Sequence, residues 1–291
     1  MQRSRSLLRL ARPRHWIKNV LVFAALLFSR RITDARAAAA ACVGFIAFCL
    51  ASSAVYAWND VLDRDQDARH PIKCRRPVAA GEISVFAALA FGAVMALLAL
   101  ALSTAINRTF SSALGLYLLL MLGYIFGLKR LAILDVLILA SGFAIRAYAG
   151  GAAADVPVSS WLILCTLNLA IFLGFAKRAG ERAMLGDAPE RALSLEASLY
   201  DTRSLGDMMI IAAALAVTTY MLYTISPETI ARVGHSWMCL TVLPVLYGVL
   251  RFYRMAILGK ASDPVDLIYR DPAFVLALLV WLGMAAFLLF V

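Results

Sequence analysis

Residues 37–67 read AAAAACVGFIAFCLASSAVYAWNDVLDRDQD, and this stretch decides the fold. Residues 37–58 are apolar except for a pair of serines, and a run of about 20 such residues is what a transmembrane helix requires. Residues 59–67 follow directly and carry four aspartates and no proline or glycine. The stretch therefore predicts a membrane-spanning helix that continues into a polar, acidic end.

The rest of the chain has the same apolar character. Of its 291 residues, 63% are hydrophobic and 16% are charged. Soluble domains have roughly 45–50% apolar and about 25% charged residues. A disordered chain, a coiled coil and a soluble enzyme are excluded by this composition, because no water-soluble fold could bury so much apolar surface. The expected solvent is the lipid bilayer.

The apolar runs predict an all-α integral membrane protein with nine transmembrane helices. The nine predicted spans are 16–29, 38–58, 83–103, 110–128, 131–150, 158–177, 207–225, 236–254 and 272–291. Because the loops between them are short, we expect a single transmembrane domain over residues 1–291. Residues 1–15 form a basic segment that we expect to lie at the membrane interface, with Arg5, Arg9 and Arg12 on one stripe. A cleaved signal peptide fits less well, since the basic run continues to Lys18.

The distribution of positive charge predicts the orientation. Most of the 28 lysines and arginines lie at the N-terminus or in loops that follow even-numbered spans. Loops rich in lysine and arginine are typically cytoplasmic. We therefore expect a bacterial inner-membrane protein with a cytoplasmic N-terminus and an external C-terminus. The net charge of +10 is attributed to this topology, and no nucleic-acid partner is expected. Most of the 18 acidic residues share the cytoplasmic face, which indicates either a charged site there or simply longer loops.

The polar end of the second span has a regular spacing if the helix continues. Its members, called here the acidic stripe, are Asn59, Asp60, Asp63 and Asp67. They recur at intervals of three, four and seven residues, so they project from one side of a helix. Like charges at this spacing repel, so a cation must neutralise them. Hard oxygen ligands with room for water suit Mg²⁺, and we predict that the stripe binds it. The alternative is a solvated helix end balanced by Arg64, Arg69 and Lys73.

A basic cluster, HPIKCRRP at 70–77, follows the stripe. Its two prolines fix a turn, and Lys73, Arg75 and Arg76 are expected to face back toward the carboxylates. A metal ion held by acids beside lysine and arginine is a common way to bind a diphosphate. The alternative is that these cations only anchor the cytoplasmic face of the membrane.

The pattern NDxxDxxxD at 59–67, followed by HPxKxRRPxAxG at 70–81, resembles the UbiA-type intramembrane prenyltransferase superfamily. Residues 142–150, GFAIRAYAG, resemble the GFxxRxxAG segment of that superfamily. The resemblance covers essentially the whole chain. It implies a UbiA-like helical bundle with an active-site cavity on the cytoplasmic side. Arg146 within this segment is a candidate site residue, with snorkelling toward the outer interface as the alternative.

One departure from the superfamily pattern indicates a branch. Aromatic prenyltransferases carry a second DxxxD-like motif after the sixth span, where this chain has KRAGER at 177–182. The KRxxE pattern resembles the decaprenyl-phosphate phosphoribosyltransferase branch. So do RPRHWIKN at 12–19, YIFGLK at 124–129 and DPVDLIYRD at 263–271. In the last of these, Asp263 and Asp266 are either a second acidic ligand set or a solvated turn.

This resemblance implies transfer of 5-phosphoribose from phosphoribosyl diphosphate (PRPP) to a polyprenyl phosphate, with Mg²⁺ as cofactor. Pyrophosphate leaves, and the sugar lipid would serve the synthesis of an arabinose donor. The expected catalytic residues are Asp63, Asp67, Lys73 and Arg76. The expected substrate-binding residues are Lys18, Asn19, Arg75, Tyr124, Lys129, Arg146, Lys177, Arg178 and Glu181.

Two other functions stay open at this point. One is an aromatic prenyltransferase of the same fold, which would consume a polyprenyl diphosphate. The other is a lipid or solute transporter, which charged residues at the midplane and broken helices would favour. The expected partners are PRPP, the polyprenyl phosphate and the bilayer, and a homo-oligomer is left open.

Overall fold

The structure is a computed structural model that describes residues 2–29, 31, 33–185, 195–260, 267 and 270–290. The described residues form helices joined by turns and short loops, which confirms the predicted all-α class. The α-helices are α1 Gln2–Ala11, α2 Ala24–Phe28, α3 Ala35–Leu62, α4 Arg64–Asp67, α5 Val85–Thr104, α6 Arg108–Phe126, α7 Leu134–Ala154, α8 Ser160–Leu185, α9 Leu195–Ser198, α10 Thr202–Ile225, α11 Pro227–Val233, α12 Val242–Ile257 and α13 Pro272–Phe290. Helices of 3₁₀ type lie at Pro13–Phe23, Lys73–Arg75, Leu128–Arg130 and Trp237–Thr241.

Seven helices in the described part of the chain are long and apolar enough to cross a membrane. They are α3, α5, α6, α7, α8, α10 and the helical stretch Trp237–Ile257. The predicted span 272–291 corresponds to α13, whose apolar part Pro272–Leu288 is shorter than the others. The predicted count of nine is therefore not confirmed.

The predicted span 16–29 is the clearest departure from expectation. It folds as the 3₁₀ helix Pro13–Phe23, called here the 3₁₀ segment, followed by the short helix α2. Runs of 3₁₀ helix longer than three or four residues are uncommon, so neighbouring elements must hold this one in place. Hydropathy reports only that the residues are apolar, which is why the sequence predicted an ordinary spanning helix here.

Short polar side chains start most of the long helices. Asp34 accepts hydrogen bonds from the backbone N–H groups of residues 36 and 37 at 3.0 and 3.1 Å, which starts α3. Ser84, Asn107 and Asp201 cap α5, α6 and α10 in the same way. Each cap satisfies a donor that would otherwise lack a partner in a membrane environment. The element boundaries therefore follow from local chemistry that is visible in the sequence.

The described residues divide into two compact units, one up to Val158 and one containing almost all residues from Ser159 onward. In the first unit α3 packs against α5, α6 and α7. Small residues line α3, and the rings of Phe48 and Phe110 meet edge to face at 5.8 Å in its core. Small side chains let membrane helices approach closely, which explains the alanine-rich sequence of α3.

The second unit is built from α8, α10, α12 and α13. Its core includes Phe172 and Phe252, whose ring centroids are 5.9 Å apart. Tyr220 accepts a hydrogen bond from the Trp281 indole at 2.8 Å. Hydrogen bonds of this kind tie apolar helices together because no water competes for them.

Candidate functional site

The acidic stripe lies where α3 leaves its apolar part. The backbone N–H of Asp63 donates to the Asn59 carbonyl at 2.9 Å, and that of Asp67 donates to the Asp63 carbonyl at 2.8 Å. The helical turn thus continues from α3 into α4 with only a brief irregularity at Asp63. The predicted continuation of the helix beyond its apolar run is confirmed.

The stripe is divided into two pairs, which the sequence did not predict. Asn59 and Asp63 converge on the buried ammonium group of Lys129, and Asn59 also donates to Asp63 at 2.8 Å. Asp60 and Asp67 converge on Nη1 of Arg76, at 3.3 and 2.6 Å. At about 100° per residue, positions seven apart differ by only about 20°, whereas positions eight apart differ by about 80°. Asp67 therefore pairs with Asp60 and not with Asn59.

Asp60 is the most deeply buried carboxylate of the stripe, with 1% of its surface exposed. Its Oδ1 is paired with the guanidinium groups of both Arg12 and Arg76. Its Oδ2 is buried and has no hydrogen-bond partner among the described residues. Burial lowers the pKa of the Arg12 guanidinium and the Asp60 charge opposes that change, so Arg12 stays cationic at neutral pH. Two cations therefore neutralise one carboxylate that still has an oxygen available.

Asp67 is also buried, at 4% exposure, but it sits beyond the apolar part of α3. Burial raises the pKa of its carboxyl group above the ordinary value, and the charge of Arg76 partly offsets the rise. A carboxylate in this setting gains by approaching a further cation.

The basic cluster contacts the stripe through Arg76, which pairs with both Asp60 and Asp67. Nδ1 of His70 accepts hydrogen bonds from the backbone N–H groups of residues 72 and 73, at 3.1 and 3.2 Å, and so shapes the turn. Lys73 is half-buried, and Arg75 is exposed while its carbonyl oxygen accepts from Arg9. The expectation that cations of the cluster face the carboxylates is confirmed for Arg76.

The alternative of a solvated helix end balanced by nearby cations does not describe this site. Arg64 and Arg69 are exposed. Arg12, Arg76 and Lys129, which come from three other parts of the first unit, contact the stripe. A site assembled from distant segments is typical of a binding function and not of a solvated surface.

The N-terminal helix α1 is held against the loop that follows the basic cluster. Arg9 donates to both carboxylate oxygens of Glu82, at 2.8 and 2.9 Å, and Ser6 donates to the same group at 2.6 Å. These three residues are called here the clasp. Of the predicted interfacial stripe of Arg5, Arg9 and Arg12, Arg9 pairs with Glu82 and Arg12 pairs with Asp60.

Arg146 lies inside α7 with 6% of its surface exposed, so it does not snorkel outward. Its Nε donates to Oδ1 of Asn19 at 2.7 Å, and its Nη groups donate to the Gly142 carbonyl at 2.8 Å and the Tyr117 hydroxyl at 2.9 Å. The Tyr117 ring also lies 4.5 Å from the guanidinium carbon. Neutral acceptors and aromatic rings therefore solvate this charge.

The other predicted site residues are spread over both units. Lys18 is half-buried, and Tyr124 is buried in the core at the end of α6. In the second unit, Lys177, Arg178 and Glu181 lie along α8, with Arg178 buried and the other two half-buried. Asp263 and Asp266 lie outside the described residues.

Two residues of these clusters were not predicted. Arg12 was part of the quoted RPRHWIKN motif, but its pairing with Asp60 had no signal in the spacing. Tyr117 had no signal at all, since it lies in an apolar run 29 residues from Arg146. Both contacts depend on how separate helices pack.

The donor set fits Mg²⁺ in chemistry. It offers carboxylate and amide oxygens, one of which is the buried and unpartnered Oδ2 of Asp60. Within the described residues, no three His, Cys, Asp or Glu side chains converge as a metal-binding group. Instead, nitrogens of Arg76 and Lys129 each lie between two side chains that bear oxygen ligands. In the structure, Arg76 and Lys129 therefore supply the positive charge that neutralises the acidic stripe.

A family model described as the UbiA prenyltransferase family matches residues 19–278. The chain belongs to this family. The match spans the acidic stripe, the basic cluster and the GFxxRxxAG segment, which confirms the resemblance seen in the sequence. The chain is therefore a membrane transferase of this family.

Curated relatives within the UbiA family share about a third of their residues with this chain. The decaprenyl-phosphate phosphoribosyltransferase of Mycolicibacterium smegmatis is 32% identical over 287 residues, covering 95% of this chain and 90% of the relative. The enzyme of the same name from Corynebacterium glutamicum is 31% identical, covering 93% and 82%. The predicted branch of the family is therefore confirmed.

Solved structures show the same fold. A UbiA homolog from Archaeoglobus fulgidus, bound to GPP and Mg²⁺, matches with a TM-score of 0.73 and 19% identity, covering 97% of this chain and 99% of the homolog. A structure of digeranylgeranylglyceryl phosphate synthase matches with a TM-score of 0.66 and 18% identity, covering 96% and 98%. These likenesses establish the UbiA fold for the present chain.

Proposed function

We propose that this UbiA-family protein transfers 5-phosphoribose from PRPP to a polyprenyl phosphate of the decaprenyl type. The observation that carries the proposal is the pairing of the acidic stripe with Arg12, Arg76 and Lys129. This pairing brings together carboxylate oxygens, which suit Mg²⁺, and cations, which suit phosphate. The names of the relatives favour PRPP as the diphosphate. The product, a phosphoribosyl-phosphopolyprenol, would feed a pathway to an arabinose donor.

The acidic stripe is the proposed holder of Mg²⁺. Asp60 and Asp67 would offer carboxylate oxygens, and Asn59 and Asp63 would complete the oxygen donor set. When bound, Mg²⁺ would neutralise part of the negative charge of a diphosphate. Arg76 touches both Asp60 and Asp67, so it is placed to bind the same diphosphate through charge-assisted hydrogen bonds.

The proposed reaction needs little proton chemistry. An oxygen of the lipid phosphate forms a bond to C1 of the ribose while the bond from C1 to the diphosphate breaks, and pyrophosphate leaves with the electron pair. Attack from the opposite face inverts C1. Because a phosphate monoester is ionised at neutral pH, no general base is required. Lys73 and Arg76 would stabilise the charge on the departing pyrophosphate, and catalysis rests on positioning and electrostatics.

The two substrates carry three phosphate groups between them, so further cations are needed. Lys177 and Arg178 are the proposed ligands of the ribose 5-phosphate or the lipid phosphate, with Glu181 orienting them. The remaining proposed substrate contacts are Lys18, Arg75, Tyr124 and Lys129. A cavity open to the cytoplasmic side would admit PRPP, and an apolar groove open to the bilayer would hold the polyprenyl tail.

We further propose the bacterial inner membrane as the location, with the N-terminus in the cytoplasm and the C-terminus outside. Basic loop residues favour this orientation. It would place the acidic stripe on the side where PRPP is available. We treat residues 1–291 as a single catalytic domain.

The test is a turnover assay with purified protein in detergent. Labelled PRPP and decaprenyl phosphate should give a labelled lipid and pyrophosphate, and chelation of Mg²⁺ should stop both. Pyrophosphate release only from an allylic diphosphate with an aromatic acid would contradict the proposal and favour an aromatic prenyltransferase. Turnover without any membrane compartment would exclude transport as the primary role.

A further inference from the structure

One face of α7 carries Gly142, Arg146 and Gly150 at intervals of four residues. The guanidinium of Arg146 bridges the Gly142 carbonyl of its own helix to Asn19 of the 3₁₀ segment. A Cβ added at Gly150 would lie only 1.9 Å from the Val22 carbonyl oxygen of the same segment. Arg146 and Gly150 of the GFxxRxxAG motif therefore both contact the 3₁₀ segment.

The 3₁₀ segment is also fastened to α3 at several levels. The Trp16 indole donates to Ser53 at 3.2 Å, and the amide of Asn19 donates to Cys49 and Ser52 at 3.3 and 3.4 Å. Asn19 is 1% exposed. Its carboxamide therefore uses its oxygen on α7 and its nitrogen on α3, which fixes the segment between the two helices.

The residue directly before the 3₁₀ segment is Arg12, whose side chain pairs with Asp60. Arg12 has φ 53° and ψ 60°, a left-handed conformation that is unfavourable for a residue with a Cβ. The surrounding contacts must maintain such a backbone, and it is often found next to functional groups. Its guanidinium carbon lies 4.8 Å from the centre of the Tyr56 ring, which limits its movement. The position of Arg12 thus depends on how the segment behind it is held.

Arg146 contacts no carboxylate in the part of the chain that the structure describes, and its hydrogen bonds go to Asn19, Tyr117 and Gly142. We infer that Arg146 is a positioning residue, which acts through Asn19 and the 3₁₀ segment to hold Arg12 against Asp60. This inference rests on the proposed function and revises the predicted substrate-binding role of Arg146 and Asn19. Arg12 is thereby assigned to the diphosphate site.

A double-mutant cycle tests the inference. Arg146→Lys and Asn19→Ala are each measured in the wild-type protein and in Arg12→Gln. In the wild-type background, both changes should raise the KM for PRPP about tenfold and leave the KM for decaprenyl phosphate within twofold. In Arg12→Gln, neither change should raise the KM for PRPP by more than twofold further. A tenfold further rise in the KM for PRPP in the Arg12→Gln background as well would overturn the inference, because it would mean that Arg146 acts independently of Arg12.

Asn19→Asp is the rescue variant. Its carboxylate keeps an acceptor for Arg146, and the Ser52 hydroxyl can donate to the other carboxylate oxygen where it accepted from the Asn19 amide. The variant should therefore retain a KM for PRPP close to that of the wild-type protein. A tenfold rise in this variant as well would contradict the inference. If Arg146→Lys does not fold, the comparison of Asn19→Ala with Asn19→Asp still decides, since both leave Arg146 in place.

A readout without substrate separates this inference from the proposed function. Peptide-resolved hydrogen exchange should increase over residues 12–23 in Asn19→Ala and Arg146→Lys, while α5 stays at the wild-type level. Unchanged exchange over 12–23 would overturn the mechanical link even if PRPP is the substrate. Increased exchange in a protein that does not turn over PRPP would support the link and contradict the proposed function instead.

Discussion

Two buried clusters of the first unit hold their charges in opposite ways. At the end of α3, Asp60 and Asp67 face Arg76, and Asp63 faces Lys129. Within α7, Arg146 is held by neutral groups and aromatic rings. A metal ion or a phosphate can replace either partner of an ion pair, whereas a guanidinium held by neutral groups has no charged partner that a ligand could replace. The comparison separates a cluster suited to binding ligands from one suited to holding the structure.

The largest expected effect is a loss of turnover, from a change in the ion-paired cluster at the end of α3. Asp63→Ala should reduce turnover at least ~10²-fold, because it removes an oxygen donor and leaves Lys129 without its carboxylate. The control is Asp65→Ala, since Asp65 is exposed and lies in α4, two residues after Asp63. Turnover is measured by pyrophosphate release, with size-exclusion chromatography to verify folding. Near-normal rates for Asp63→Ala would remove this residue from the site.

Changes near the Arg146 cluster in α7 should lower the stability of the folded protein. Gly150→Ala should destabilise the protein by roughly 1–3 kcal/mol, because the new Cβ would meet the Val22 carbonyl oxygen. Gly115→Ala in α6 is the matched control, since nothing lies within 4 Å of its added Cβ. That control should change stability by less than about 1 kcal/mol. Thermal unfolding in detergent at the same temperature for both variants would show that α7 and the 3₁₀ segment are not in close contact.

A smaller effect is expected from the second unit. Lys177→Ala should raise the apparent KM for PRPP or for the lipid phosphate roughly tenfold, as expected when a charge-assisted hydrogen bond to a phosphate is lost. Lys260→Ala, also in the second unit and exposed, is the control. Steady-state kinetics with each substrate varied would identify which phosphate is bound. No change in either KM would leave Lys177 with a structural role only.

The smallest effect concerns the clasp. Hydrogen bonds from Ser6 and Arg9 hold the pKa of Glu82 below its usual value of about 4.3. A carboxyl group whose pKa is lowered on folding adds stability above that usual value, and the contribution is lost as the pH falls through the lowered pKa. Hydrogen exchange in α1, corrected for the intrinsic rate, should therefore increase only below about pH 4.

Glu82→Gln provides the control for this pH dependence. Because glutamine does not titrate, exchange in α1 should lose its acid-dependent step in this variant. The same step in both proteins would assign the loosening of α1 to a different group.

The sequence predicted the parts that depend on local patterns. Hydropathy located seven membrane helices to within a few residues, with larger shifts at some ends such as that of α8. The caps at Asp34, Ser84 and Asn107 were not predicted, although short polar residues of this kind are typical of helix N-termini. The spacing of the acidic stripe predicted a helical continuation and a need for neutralising cations. The three motifs NDxxDxxxD, HPxKxRRPxAxG and GFxxRxxAG, in this order along the chain, were sufficient to recognise the family.

Other features depend on contacts between distant segments. The 3₁₀ segment has an apolar sequence like that of a spanning helix, and only its contacts with α3 and α7 account for its different conformation. Arg12 reaches Asp60 across 48 positions in the chain, and it does so from a left-handed backbone. The division of the stripe into two pairs depends on where the side chains of Lys129 and Arg76 lie in the folded protein. No local pattern reports such geometry.

The most direct test of the central claim is equilibrium binding of labelled PRPP to the purified protein without any lipid acceptor. The account predicts Mg²⁺-dependent binding that Asp67→Asn weakens at least tenfold and that Asp65→Asn leaves unchanged. Equal binding of PRPP to the wild-type protein and to Asp67→Asn, with or without Mg²⁺, would contradict the account.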